Sequence, residues 1–340
     1  MTHNSAGPLP RLPRRELDLA RTAYLAALQR FPEELFEAGR RLLERVDGAN
    51  WALEWSLPYW LGETFGLWRE AVRTLTLANV FGLAYARLQD DAVDDELGRD
   101  ERASSPLLAT ALYHLWLEQY HKLFDETSLF WRHFDSYMST WMRSTLRGGV
   151  AATGSSPAPG DDTGAMVTVE HALVLAERGA PLKAGGVAAC LLAFRQEDVT
   201  VVEAAVDHLL AAAVLLDHVQ DWREDLAAGR YNAFAAHAAG QWETEIAGGN
   251  VQQVAAEIYL GDAGGRYFAL VREITGIARR EAQSLACRGL VHYVERLEEN
   301  ASAYHTRLAE QAKGKLRDTV TRFLDSVKEP ETAPTVPHPS

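Results

Sequence analysis

Positive charge is scarce in this chain: 34 Lys and Arg face 47 Asp and Glu, for a net charge of −13. A nucleic-acid binder would carry a basic stripe, so that class is disfavoured, whereas a protein that gathers cations fits. Cysteine is almost missing. Cys190 and Cys287 are the only two, far apart and in apolar helical surroundings. They support neither a disulfide framework nor zinc-site spacing, and read as core thiols of a reducing compartment. No apolar run is read as approaching the ~20 residues of a membrane span. The opening "MTHNSAGPLPRLPRRELD" has basic residues without the apolar stretch of a signal peptide. The expectation is a cytoplasmic protein with no membrane span and no nucleic-acid partner. Strand-like alternation is almost absent too, which points to an all-α fold.

What is present is helical periodicity nearly throughout, with 47% hydrophobic residues and nine tryptophans to fill a core. The pattern predicts helices over 15–30, 33–46, 67–96, 104–125, 127–147, 166–178, 182–195, 198–226, 250–260, 265–297 and 299–327. Gly and Pro mark stops at "DGANW", "WLGETFGL", "RGAPLKAGG" and "AGRYN". Residues 1–14 and the Pro-rich tail 328–340 read as disordered, and about 148–165 as a mobile loop within one all-α domain spanning 15–327.

Two stretches break local preference in the same way. "TLTLANVFGLAYARLQDDAVDDELG" (74–98) is apolar nearly all round, then discharges Asp90, Asp91, Asp94 and Asp95. "LLDHVQDWREDLAAGRYN" (215–232) places Asp217, Asp221 and Asp225 four residues apart after another apolar run. Positions i and i+4 share a helix face about 6 Å apart along the axis, so the second set climbs about 12 Å as a ladder. Acids at a helix C-terminus oppose its dipole and repel one another. Two buried helices ending this way suggest a shared cage of hard oxygen ligands, suited to Mg²⁺ bridged to a substrate phosphate. Candidate cations for that phosphate are Arg178 and Lys183 at a helix corner, Arg223 inside the ladder, and Arg230 beside Tyr231 just past it. Phe81 and Tyr85, below Asp90 on the first helix, are expected to line the cavity.

These motifs resemble those of class I isoprenoid synthases, the all-α superfamily of terpene cyclases, trans-prenyl diphosphate synthases and squalene/phytoene synthases. "DDAVDD" (90–95) is similar to the DDxxD motif, and "DHVQDWRED" (217–225) lies where the second metal motif belongs. In the second motif His218 stands where chain-elongating enzymes have Asp. Their basic Gly-Lys-Arg-x-Arg-Pro segment has its nearest counterpart in "EAGRRLLERV", which reads as an amphipathic surface helix. The resemblance implies a single-domain helical bundle around a central active-site cavity. It also implies three Mg²⁺ ions bound with diphosphate, a prenyl diphosphate substrate, and a homodimer as one option. The catalytic set would be Asp90, Asp91, Asp94, Asp217, Asp221 and Arg230. Asp95 and Asp225 would join the metal ligands, and Arg178, Lys183, Arg223, Arg230 and Tyr231 would hold the diphosphate. The expected activity is cyclisation of farnesyl or geranylgeranyl diphosphate by a terpene synthase, a lyase. The alternative is a prenyltransferase performing elongation, head-to-head coupling or transfer to another acceptor.

Overall fold

Thirteen consecutive α-helices are read from a computed structural model that describes residues 13–48, 52–93, 104–152, 167–240 and 251–328. Among the described residues there is no strand, as the periodicity requires. The helices are α1 (Arg14–Leu28), α2 (Glu33–Gly48), α3 (Ala52–Phe65), α4 (Arg69–Val93), α5 (Ser105–His121), α6 (Leu129–Ala152) and α7 (Val169–Ala176). A 3-10 segment (Glu177–Leu182) then leads into α8 (Lys183–Leu192) and α9 (Val199–Ala227). The chain continues as α10 (Ala233–Ala239), α11 (Val251–Leu260), α12 (Ala263–Ser284) and α13 (Arg288–Lys328).

Three boundaries differ from expectation. The stretch read as a breaker between 48 and 66 forms α3, with Pro58 inside it; the buried side chains of Trp55, Leu57 and Leu61 hold the helix in place. Helix α6 runs on to Ala152, into the segment expected to be a loop. The last break falls at Leu285–Cys287 instead of near residue 298. Ala286 adopts φ 56° there while Leu285 and Cys287 are buried, so packing stops the helix where no glycine or proline marks it. Residues 1–12, 153–166 and 329–340, expected to be disordered or a mobile loop, lie outside the described residues.

Helices α4 and α9 are the two central elements. Ala71, Leu75, Ala78, Phe81 and Leu88 of α4 are buried, as are Val202, Leu209, Ala212, Leu215 and Leu216 of α9. Helix α8 packs against α3, α4, α6 and α9, and the 3-10 segment touches α4, α6 and α9. This junction requires Gly185, where an added Cβ would come within 2.8 Å of Asn79 Oδ1 and 2.9 Å of Pro58. Contrary to the sequence expectation, Gln196–Ala227 is long and apolar enough to cross a membrane. Half of its most apolar window is buried within the bundle, where α7, α8, α10 and α12 cover it, so the same apolarity serves a core helix.

Candidate active site

The acidic end of α4 is split between two environments. Asp90 Oδ1 accepts a hydrogen bond from Thr145 Oγ1 of α6 at 3.3 Å and lies 3.7 Å from an Arg178 guanidinium nitrogen of the 3-10 segment. Its side chain is 22% exposed. Asp91, 100° further round the helix, turns inward. It is buried between two arginines: Arg87 Nε lies 2.7 Å from Oδ1, and Arg45 of α2 donates to Oδ2 at 3.2 Å. Asp91 is therefore held in a clamp and not presented with Asp90. Asp94 and Asp95 lie outside the described residues.

On α9, Leu210 packs over Gly179, next to Arg178, and Asp217 stands two turns further along the same face. The 3-10 segment that carries Arg178 is thus packed against α9 through Gly179, two turns before Asp217. Asp217 is exposed, yet the protein around its carboxyl, with the charges of Asp221 and then Asp225, pushes its pKa up to about 6; Arg87 of α4 acts in the opposite sense. Burial and the neighbouring acids, Asp225 first, also raise Asp221. Crowded carboxylates with excess negative charge are a donor set that a divalent cation stabilises.

Asp225, the third rung, is occupied by its own chain. Arg230 Nε donates to Oδ1 at 3.0 Å and Asn232 Nδ2 to Oδ2 at 2.8 Å, in a buried setting. Gly229 ends the helix at φ 69°, which the sequence led one to expect, and the return brings Arg230 to Asp225. Asn232 also donates to the His218 carbonyl at 3.0 Å and caps α10 by accepting from the Phe234 and Ala235 amides. His218 points to this turn too. Its Nδ1 accepts from the Ala233 amide at 3.1 Å, and burial lowers its pKa to about 4, so the ring is neutral.

Four other expected site residues are placed away from the carboxylates. Lys183 Nζ lies 2.9 Å from Asp207 and 5.2 Å from the Tyr137 ring centre, and Asp207 precedes Asp217 by about 15 Å of helix. Arg223 donates to the Tyr259 hydroxyl and covers the Trp222 ring, facing α11. Tyr231 meets His218 edge to face, and burial raises its hydroxyl pKa well above the ordinary value. Phe81 is fully buried and stacked on Tyr24 of α1, so it belongs to the core and lines no cavity. Tyr85 does face the site seam: below the Asp90–Thr145 pair, it meets Trp141 of α6 at 5.7 Å and Tyr113 of α5 at 5.1 Å.

Sequence reasoning missed Thr145, Asn232, Arg45 and Arg87. For Arg87 a signal existed: it is the sole basic residue between Arg73 and Val93. Arg45 belongs to "EAGRRLLERV", which is more than a surface helix. Arg41 and Arg45, with Ser104, Ser105, Leu42 and Leu88, line a cleft of about 220 Å³ beside the acidic end of α4.

Of the described carboxylates expected to bind metal, Asp217 and Asp221 crowd one another on α9, Asp90 meets Thr145 and Arg178, and Asp91 and Asp225 are paired with arginines. Among the described residues, no three His, Cys, Asp or Glu side chains converge on one metal position. Such a pair of partial donor sets suits an ion that completes its shell with water and phosphate oxygens.

Neither a known family model nor a curated protein matches the sequence. Solved structures do match in fold. A polyprenyl synthase from Roseobacter denitrificans has 14% identity and a TM-score of 0.65, over 86% of this chain and 95% of that one. A decaprenyl diphosphate synthase from Rhodobacter capsulatus gives 13% and 0.64 over 86% and 96%. A polyprenyl synthase from Caulobacter crescentus, complexed with calcium and isoprenyl diphosphate, gives 14% and 0.61 over 85% and 94%. The architecture built from α4 and α9 is therefore the all-α isoprenoid synthase fold.

Proposed function

We propose that the chain is a Mg²⁺-dependent enzyme that ionises an allylic prenyl diphosphate and joins the resulting carbocation to a second prenyl diphosphate. The observation that carries this reading is that Asp90 at the acidic end of α4 meets Arg178 of the 3-10 segment, while α9, which carries the crowded Asp217–Asp221 pair, packs against that same segment. Asp90, Asp217 and Asp221 would hold the metal, which when bound supplies Lewis-acid neutralisation of the diphosphate. Arg178 takes up negative charge as the C–O electron pair leaves with the diphosphate. The rings of Tyr85 and Trp141 stand below and favour positive charge by about 0.5–2 kcal/mol each. The C–C bond forms from the π electrons of the second substrate, and a proton is then lost.

Transfer is preferred to cyclisation because the cleft bearing Arg41 and Arg45 offers a second anion position beside the α4 end. The fold neighbours, named as polyprenyl, decaprenyl and geranylgeranyl diphosphate synthases, support the same choice. Cyclisation of one substrate is the second reading, favoured by the aromatic wall of Tyr85, Tyr113, Trp116 and Trp141.

The test is incubation with geranyl, farnesyl and geranylgeranyl diphosphates, each with and without isopentenyl diphosphate, followed by product identification. A longer diphosphate formed only when both substrates are present is the expected result. A hydrocarbon or alcohol ring from one substrate alone would establish cyclisation instead. Absence of diphosphate release from every allylic substrate would refute both.

A further inference from the structure

Helices α3 and α8 run side by side in the same direction: Gly185 and Gly186 of α8 face Pro58 and Leu61 of α3, and further along both helices Arg195 covers the Phe65 ring at 4.7 Å. Both end with the same pair of backbone hydrogen bonds. In α3 the Leu67 amide donates to the Gly62 carbonyl at 2.9 Å and the Gly66 amide to Glu63 at 3.4 Å. In α8 the Arg195 amide donates to the Cys190 carbonyl at 2.9 Å and the Phe194 amide to Leu191 at 3.2 Å. The turn residue is left-handed in each, Gly66 at φ 71° and Phe194 at φ 57°. Glycine takes that conformation freely, whereas a bulky side chain is strained in it. Phe194 is also 85% exposed, so packing of its ring offsets none of that strain. Trp68, two residues past Gly66, is 54% exposed. A strained backbone that holds an aromatic ring in water serves no purpose of the fold, and strain of this kind belongs to functional positions.

We propose that Phe194 and Trp68 anchor this end of the bundle in the headgroup layer of a zwitterionic lipid bilayer. The exposed area argues against a protein partner. An aromatic side chain buries about 150–250 Å² in full, so two partly exposed rings fall well short of the about 800 Å² that each member of a stable protein pair contributes. A bilayer surface asks only for separate apolar tips, and aromatic rings settle at headgroup level. The charges beside the rings select the lipid. Exposed Arg69 is flanked by exposed Glu63 and Glu70, and Arg195 pairs with Asp198 at 2.5 Å next to exposed Glu197. With a net charge of −13 on the chain and no basic patch around the rings, anionic lipid adds no attraction. The location suits such an anchor. Helix α4 starts beside Trp68 and α9 starts five residues after Phe194, so Asp90 and Asp217 lie about 30 Å away along their helices. Docking by this end leaves the acidic helix ends in water.

The experiment is flotation of the full chain with phosphatidylcholine vesicles, and with the same vesicles containing added phosphatidylglycerol. Wild type is compared with Phe194→Gly and Trp68→Ser, with melting temperature and oligomeric state measured for each. Wild type should float with phosphatidylcholine and no more strongly when phosphatidylglycerol is present. Each variant should partition about tenfold less, the effect of keeping one large apolar side chain out of the bilayer. Phe194→Gly should melt at or above the wild-type temperature, because glycine relieves the strained turn. A lower melting temperature would show that Phe194 serves the fold and would overturn the inference. So would wild type that stays in the soluble fraction, Phe194→Gly that floats as wild type does, or flotation only with phosphatidylglycerol. A dimer that is lost in Phe194→Gly without any vesicle binding would assign the rings to a second copy of the chain instead.

Discussion

Arg45 reaches from α2 to donate to Asp91 Oδ2 at 3.2 Å, so adjacent residues of one acidic motif have different jobs. Asp90 meets Thr145 and Arg178 at the site, while Asp91 ties α4 to α2. The two should separate on substitution. Asp90→Asn is expected to lower kcat/KM by about a hundredfold or more, or about 2.7 kcal/mol, with little change in melting temperature. Asp91→Asn should cost about 1–2 kcal/mol of stability, discounted from a fully buried pair because both arginines are half exposed. Thermal melts and kinetics of both variants check this, and equal melting temperatures would contradict the division.

Asp217 predicts a dependence on pH. Its pKa of about 6 in the folded chain lies above the ordinary 3.8, so between those values the folded state binds more protons than the unfolded one. The associated stability is fully present below about pH 4 and is lost as pH rises through about 6. In chelator, wild type should therefore lose melting temperature relative to Asp217→Asn across that window, and Mg²⁺ with pyrophosphate should restore it at neutral pH. A difference between the two proteins that does not vary with pH would count against the crowded-carboxylate picture.

Asn232 offers a test of the turn after the ladder. It is buried, caps α10 through two amides, and holds Asp225 and the His218 carbonyl. Asn232→Ala removes the cap and leaves buried partners unpaired, at a cost of about 2–3 kcal/mol in chemical denaturation. Asn232→Asp keeps the cap but sets a second carboxylate against Asp225, and should be no better. A fully stable Asn232→Ala protein would mean that this network does not hold the end of α9.

Tyr85 lies about 7.5 Å below Asp90 along α4, where it meets Trp141. Replacing it with Ala removes the ring under the site seam. Under the proposed transfer reaction the longest product should then gain at least one isoprene unit, as read by mass spectrometry of the product diphosphates. An unchanged product length with intact folding would place the limiting wall elsewhere.

Helix periodicity made the all-α fold legible without coordinates. The acidic ends of two apolar helices and the positive-φ stop at Gly229 were legible for the same reason: each is a local property of consecutive residues. Tertiary packing decided the rest. Adjacent side chains on a helix point 100° apart, so which of Asp90 and Asp91 meets the site depends on where α2, α6 and the 3-10 segment dock. The same is true of Asp225, which continues the ladder in sequence but is claimed by Arg230 and Asn232 once the chain turns back. Phe81 and Tyr85 differ by one helical turn, and contact with Tyr24 made one of them core while Trp141 drew the other to the site. Even the break before α13 is a packing decision. No residue type marks it; Leu285 and Cys287 are buried on either side of Ala286, and Cys287 meets Thr64 of α3, far away in the chain.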